Sequence, residues 1–145
     1  MSTPLLFVLT GQSNAGQRGV GGAAVEGAYQ YAPQYGGKVW RPMAPYRSSF
    51  GVGLPFAREI SLALERTVLI VQLCSGGTSI IAWRPGTPNA AWRIDMARVG
   101  NSAKPAMYSR LVLTVAAARD AWLGSVELAG VLWLQNERDS HMMYG

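Results

Sequence analysis

Three short apolar runs divide the chain, and each ends abruptly in small or polar residues. They cover residues 5–9, 67–73 and 128–134. Short runs rich in Leu, Val and Ile, without regular polar alternation, are typical of strands in a parallel sheet that is covered on both faces. We therefore predict three such strands.

Two helices are predicted between these strands. The first spans residues 53–66, begins near Pro55 and places Arg66 in its last turn. Its apolar face is formed, at intervals of four residues, by Phe56, Ile60 and Leu64. The second helix begins near Ala106 and is stopped by Gly124. Strands that alternate with helices in this way predict an α/β fold with an open, mainly parallel sheet.

The segment between the first strand and the first helix, residues 15–53, is rich in glycine and is predicted to be a long loop. Its stretch "KVWRPMAPY", residues 38–46, contains prolines that limit it to a short edge strand or an extended loop. Trp40 in this stretch, and Trp83 and Trp92 in a later loop, could stack on a sugar or cover the edge of the core. The sequence leaves both alternatives open.

Polar residues follow each of the three predicted strands. Ser13 and Asn14 follow the first strand, residues 76–79 the second and residues 135–137 the third. Because the carboxyl ends of parallel strands meet at one edge of a sheet, these residues can converge. A serine is a nucleophile once a base takes its proton, and backbone N–H groups and side-chain amides can stabilise an oxyanion. The strand ends therefore predict a site for acyl transfer, although Ser13 and Asn14 alone could instead cap a helix.

Three blocks of sequence resemble those of a known family. They are "GQSNAG", "GGTSIIAW" and "WLQNERD", at residues 11–16, 76–83 and 133–139. Their order and spacing resemble the sialate O-acetylesterase-like carbohydrate esterases, a branch of the SGNH hydrolase superfamily. The resemblance covers nearly all of the chain. It implies a flavodoxin-like three-layer α/β/α fold and serine-dependent hydrolysis of acetyl esters on carbohydrates.

The resemblance also implies roles for individual residues. Ser13 corresponds to the nucleophile, and its own N–H group to one oxyanion donor. Gly77, or Gly76 if the alignment shifts by one residue, corresponds to the second donor, and the Gln135 side chain to the third. The further residues expected to contact substrate are Gln12, Asn14, Asn136 and Glu137. The family usually has glycine where this chain has Asn136, which predicts a narrower site or a local rearrangement.

The catalytic base is the least defined part of the predicted site. Members of the family carry an Asp-x-x-His motif well downstream of the third block, and we expect residues 1–145 to form one domain without this part of the fold. The only histidine, His141, follows Asp139 with a spacing and position that do not match the motif. His141 could still act as the base if it folds back to Ser13. The alternative hypothesis is a non-catalytic carbohydrate-binding or structural fragment of the same family.

The composition narrows the remaining function classes. Hydrophobic residues make up 49% of the chain and charged residues 14%, as in compact globular proteins. The net charge of +5 comes mainly from dispersed arginines, so we expect no nucleic-acid partner. The single cysteine, Cys74, is predicted to be a buried thiol rather than a nucleophile. The sequence lacks a Cys/His set for zinc and a nucleotide-binding glycine motif, so we expect no metal and no cofactor.

Three further expectations concern the setting of the protein. The sequence has no Gly-x-Ser-x-Gly motif, which disfavours a lipase-like or peptidase-like enzyme. No signal peptide or membrane-spanning segment is recognisable, which predicts a cytoplasmic protein or leaves its location open. A sheet of only three strands would leave an exposed edge, so a homo-oligomer is a further hypothesis.

Overall fold

The computed structural model describes residues 2–16, 19–20, 22–45, 49–86 and 106–135. The strands are β1 (Leu5–Gly11), β2 (Gly19–Val20), β3 (Val25–Tyr31), β4 (Arg41–Met43), β5 (Ser49–Phe50), β6 (Val68–Cys74) and β7 (Glu127–Leu134). The helices are α1 (Ser13–Gly16), α2 (Pro33–Gly36), α3 (Gly53–Leu64) and α4 (Met107–Asp120), with a 3-10 helix at Ile80–Trp83. The two long helices, α3 and α4, are those predicted from the sequence.

Five strands form one sheet in the order β4-β3-β6-β1-β7. In this sheet β3, β6, β1 and β7 are parallel to one another, and β4 pairs antiparallel with β3 at one edge. The three predicted strands are β1, β6 and β7, and the predicted edge strand is β4. This mostly parallel sheet confirms the predicted α/β class. A separate antiparallel pair is formed by β2 and β5.

Residues 25–31 form β3 rather than part of the long loop predicted for residues 15–53. Their sequence, "VEGAYQY", has neither a continuous apolar run nor strict alternation, and Gly27 at φ 71° lies where the pairing with β4 is irregular. The strand forms because Ala28 to Tyr31 pair in parallel with Val68 to Val71 of β6. Tertiary pairing therefore outweighs a weak local pattern.

Helices cover the two faces of the sheet, which gives the three layers of the predicted fold. On one face α3 packs over residues that include Leu9, Val68 and Ile70, and both Phe56 and Ile60 join this core. On the other face Ala118 of α4 packs over Leu6, Leu69 and Val71. The apolar side chains of β6 thus alternate between two buried cores.

Two details of helix α3 differ from the prediction. Leu64 is half exposed, so it does not share the buried face of Phe56 and Ile60. Arg66 lies beyond the last helical residue, Leu64. Its guanidinium donates hydrogen bonds to the Thr3 carbonyl oxygen and forms an ion pair with Glu127 at 2.6 Å. Arg66 therefore connects the residues at the starts of β1 and β7 instead of lying in the last turn of the helix.

Trp40 and Trp83 serve the core. The indole of Trp40 donates a hydrogen bond to the Ala118 carbonyl oxygen at 2.8 Å, and its ring contacts Tyr31 and Trp122 at centroid distances of 5.5 Å. Trp83 is buried beside Met107. Trp92 lies outside the described residues.

Among the described strands, β7 lies at one edge of the sheet, beside β1. Three of its apolar side chains are well exposed, at 65% for Leu128, 61% for Val131 and 43% for Trp133. Such an edge can pair with another chain, so the homo-oligomer stays a prediction that light scattering can test. Among the described helices, none combines the length and apolar character needed to cross a membrane.

Candidate active site

A glycine at the end of β1 brings the first strand end close to the last. Gly11 has φ +130°, and a Cβ atom at this position would lie only 1.8 Å from the Leu134 carbonyl oxygen. That oxygen accepts a hydrogen bond from the Gln12 N–H at 2.9 Å, and the Gly11 carbonyl accepts one from the Ser75 N–H at 3.0 Å. The turn after β1 is therefore fixed between the ends of β6 and β7.

Ser13 is the first residue of the short helix α1 and is half-buried, so it is not sealed in the core. The last residue of α1 is fixed by β6, because the Gln72 side-chain amide donates to the Gly16 carbonyl oxygen at 3.3 Å. Gly51 lies against the same oxygen, since a Cβ atom there would be 1.7 Å from it. Asn14 is the second residue of α1. Because α1 begins at Ser13, its N-cap position belongs to Gln12, so the start of this helix does not give Ser13 and Asn14 the capping role of the alternative prediction.

The glycine turn after β6 lies directly against Ser13. A Cβ atom built on Gly76 would lie 3.4 Å from the Ser13 Cβ and 4.0 Å from its Oγ. Gly77 has φ +68°, and a Cβ atom there would meet nothing within 4 Å. The backbone of Gly76 therefore lies beside the Ser13 side chain, whereas the space around the Gly77 Cα is unoccupied. Both remain predicted oxyanion donors.

The third strand end meets the other two through Gln135. Its Nε2 atom donates to the Thr78 carbonyl oxygen at 2.5 Å and lies 3.5 Å from Gln12 Oε1. Gln12 is only 3% exposed, so its side chain lies inside this packing, and its direct contact with substrate stays a prediction. The structure thus brings together residues from all three sequence blocks.

Thr78 and Ser79, which follow the glycine turn, were given no individual role in the predicted site. Thr78 is completely buried, and its hydroxyl donates to the Ser75 carbonyl oxygen at 2.7 Å. The indole of Trp83 donates to Thr78 Oγ1 at 3.2 Å. The neighbouring Ser79 is the cap of the 3-10 helix, since its Oγ accepts from the Ile81 N–H at 3.2 Å. The sequence signal was the pair of hydroxyl residues directly after two glycines.

Several predicted site residues lie outside the described residues. They are Asn136, Glu137 and His141, together with Asp139. Their predicted roles stay predictions. Within the described parts of the chain, no group of three or more His, Cys, Asp or Glu residues is placed to hold a metal ion.

The thiol of Cys74, at the end of β6, is a much weaker acid than an ordinary cysteine thiol. Burial raises the pKa of its thiol from 9.0 to about 12, although a hydrogen bond with the Gln72 side chain lowers it in part. The Sγ atom lies 3.8 Å from the Leu9 carbonyl oxygen. Because the thiolate is the nucleophilic form, a thiol with a raised pKa is inert near neutral pH.

We expect Cys74 to resist alkylation in the folded protein. At about pH 8, its reaction with iodoacetamide should be at least about a hundredfold slower than in protein unfolded by guanidinium chloride, because the thiolate fraction is lower. Mass spectrometry after timed quenching measures both rates. Equal rates in the two states would show that the thiol is not held neutral by burial.

The fold and the site define the class of protein. A mostly parallel sheet between two helical layers, with a serine two residues after the inner strand β1, is consistent with an SGNH-like α/β fold. The family model described as carbohydrate esterase, sialic acid-specific acetylesterase, matches residues 3–144, so the chain belongs to this family.

Solved structures agree with this fold. A protein from Arabidopsis thaliana superimposes with a TM-score of 0.68 at 21% identity over 95% of this chain. The structure of NanS superimposes with a TM-score of 0.63, also at 21% identity, over 94% of this chain. The chain spans 60% and 55% of the lengths of these two proteins. A search of curated proteins found no match.

Proposed function

We propose that the protein is a serine-dependent O-acetylesterase that removes acetyl groups from carbohydrates, with O-acetylated sialic acids as the substrate class. The observation that carries the proposal is the position of Ser13, half-buried and with its Oγ 4.0 Å from where a Cβ of Gly76 would be. Because residue 76 is glycine, no side chain of this turn stands beside the Ser13 hydroxyl. Membership of the sialic acid-specific acetylesterase family supports the same chemistry.

The first half of the reaction forms an acetyl-enzyme. Ser13 Oγ attacks the acetyl carbonyl carbon, and its proton passes to a base. The negative charge that develops on the carbonyl oxygen is stabilised by the N–H groups of Ser13 and the Gly76–Gly77 turn, and by the Gln135 amide. Collapse of this intermediate breaks the bond to the sugar oxygen, which takes the proton from the base and leaves as a hydroxyl.

The second half returns the enzyme to its starting state. A water molecule gives a proton to the same base and attacks the acetyl carbon, and the bond to Ser13 Oγ breaks. The base gives this proton to Ser13 Oγ, and the product leaves as acetic acid, which ionises to acetate. Each of the oxyanion donors is worth about 2.7–4 kcal/mol of transition-state stabilisation in enzymes of this kind. His141 is our candidate for the base because it is the only histidine of the chain.

The experiment is an acetate-release assay on the purified protein. We expect acetate from O-acetylated sialic acid and from 4-nitrophenyl acetate, and a much slower reaction with 4-nitrophenyl butyrate because the backbone of the Gly76–Gly77 turn leaves little room for a longer acyl chain. Hydrolysis that is insensitive to His141→Ala would exclude His141 as the base. A protein that binds acetylated sialic acid without releasing acetate would instead support the non-catalytic alternative.

A further inference from the structure

The turn that lies against Ser13 is closed by a buried side chain. Thr78 is completely buried, and its hydroxyl spans the turn to donate to the Ser75 carbonyl oxygen at 2.7 Å. The two residues enclosed by this contact are Gly76 and Gly77. Glycine has the greatest backbone freedom of all residues, so a pair of glycines needs external contacts to hold one conformation.

The direction of each proton in this contact is fixed. An indole N–H can only donate, so Thr78 Oγ1 must accept from Trp83 Nε1 at 3.2 Å. The hydroxyl proton is then left to point at the Ser75 carbonyl oxygen. Trp83 is itself only 5% exposed, and its ring packs edge-on against Trp133 of β7 with centroids 5.3 Å apart. The chain of contacts thus runs from β7 to the glycine turn.

The backbone of Thr78 makes a second connection to the same strand. Its carbonyl oxygen accepts the 2.5 Å hydrogen bond from Gln135 Nε2, directly after the end of β7. The position of the Gln135 amide therefore depends on the same residue that closes the turn beside Ser13. Thr78 thus fixes the position of the Gly76–Gly77 turn relative to the Gln135 amide, and these are two of the three proposed groups of oxyanion donors.

We propose that Thr78 is a positioning residue for the esterase reaction, acting through the Gly76–Gly77 turn and Gln135. This inference rests on the proposed function. The sheet itself does not depend on the Thr78 hydroxyl, because β6 pairs with β1 along its whole length and Thr10 Oγ1 donates to the Leu73 carbonyl oxygen at 2.8 Å. Loss of the hydroxyl should therefore disturb the donors and leave the fold intact.

The test compares two substitutions that differ by the hydroxyl. Thr78→Val keeps the shape and removes the hydroxyl, and we expect kcat for 4-nitrophenyl acetate to fall by about tenfold to a hundredfold with KM nearly unchanged, since small misplacements of catalytic groups cost this much. Thr78→Ser keeps the hydroxyl and should recover kcat to within about threefold of the wild type.

A matched control is available on α4. The hydroxyl of Thr114 also donates to a backbone carbonyl, that of Arg110 at 2.7 Å. Thr114→Val should keep the wild-type kcat. If Thr78→Val also keeps it, or if Thr78→Ser fails to recover it, the positioning role is wrong.

A second variant covers the case in which Thr78→Val does not fold. Trp83→Phe keeps a buried ring and removes the N–H group that orients the Thr78 hydroxyl. We expect kcat to fall by about threefold to tenfold with KM nearly unchanged, because the Thr78 hydroxyl loses the donor that orients it. An unchanged kcat would overturn the inference. Where Thr78→Val also folds, combining the two changes should cause no further loss, because they interrupt one chain of contacts.

Amide hydrogen exchange separates this inference from the proposed function. In Thr78→Val, the peptide covering residues 75–79 should exchange faster than in the wild type, while residues 5–11 of β1 should be unchanged. If the wild type lacks esterase activity, the proposed function fails, and exchange still decides whether Thr78 holds the turn. Unchanged exchange at residues 75–79 would show that it does not.

Discussion

Replacing Ser13 with alanine should lower kcat for acetyl-ester hydrolysis by at least about 10³-fold, because the attacking oxygen is lost while the oxyanion donors remain. The fold should tolerate the change. Ser13 is half-buried at the first position of α1, and α1 is held independently by Gln72 and by the close approach of Gly51. Acetate release at saturating substrate, together with a melting curve, measures both effects.

Ser61→Ala provides the matched control for this experiment. Its hydroxyl donates to the Arg58 carbonyl oxygen at 3.1 Å on the exposed surface of α3, so the substitution removes the same group far from the site. It should leave kcat unchanged. If Ser13→Ala were as active as Ser61→Ala, another group would have to be the nucleophile. The raised pKa of Cys74 argues against that thiol taking the role.

Gly11→Ala should lower the free energy of unfolding by about 3–5 kcal/mol, since it combines backbone strain with a clash against a backbone atom of β7. The added Cβ would lie 1.8 Å from the Leu134 carbonyl oxygen, and this atom belongs to a strand rather than to a flexible side chain. Moving it would break the hydrogen bond from the Gln12 N–H. Esterase activity should therefore fall together with stability.

Gly124→Ala separates the two causes of this loss. Gly124 has φ +129°, nearly the same φ as Gly11, but a Cβ atom there would meet nothing within 4 Å. It should cost only the backbone strain, about 1–3 kcal/mol. Urea unfolding of both variants measures the difference. Equal losses of unfolding free energy in the two variants would mean that the Leu134 carbonyl moves aside at little cost.

The central strands were predictable because burial on both faces leaves a direct mark on the sequence. Every residue from Val68 to Leu73 is buried, and only Gln72 interrupts the apolar run of this strand. β3 lacks this mark because Glu26, Gly27 and Gln30 interrupt it. Its existence depends on pairing with β6, which lies about forty residues further along the chain. No local pattern contains that information.

The candidate site was predictable to the level of strand ends but not to the level of contacts. Ser13, the glycine turn and Gln135 each follow an apolar strand, and parallel topology brings such residues to one edge. The role of Thr78 depends on how the 3-10 helix turns Trp83 back toward it. That geometry comes from the Ser79 cap and from packing against Trp133. Contacts of this kind arise from the assembled fold.

The location of Gln135 at the end of an outer strand has a consequence for how the protein loses activity. Among the described strands, β7 is paired only with β1, whereas β1 and β6 each have neighbours on both sides. Outer strands fray at a lower free energy than the body of a sheet. Fraying at the β7 terminus would carry Gln135 and Trp133 away from the serine while the remaining strands stay paired. Inactivation by mild denaturant should therefore precede the cooperative unfolding of the protein, and a ligand that binds the outer edge of β7 should protect activity under those conditions.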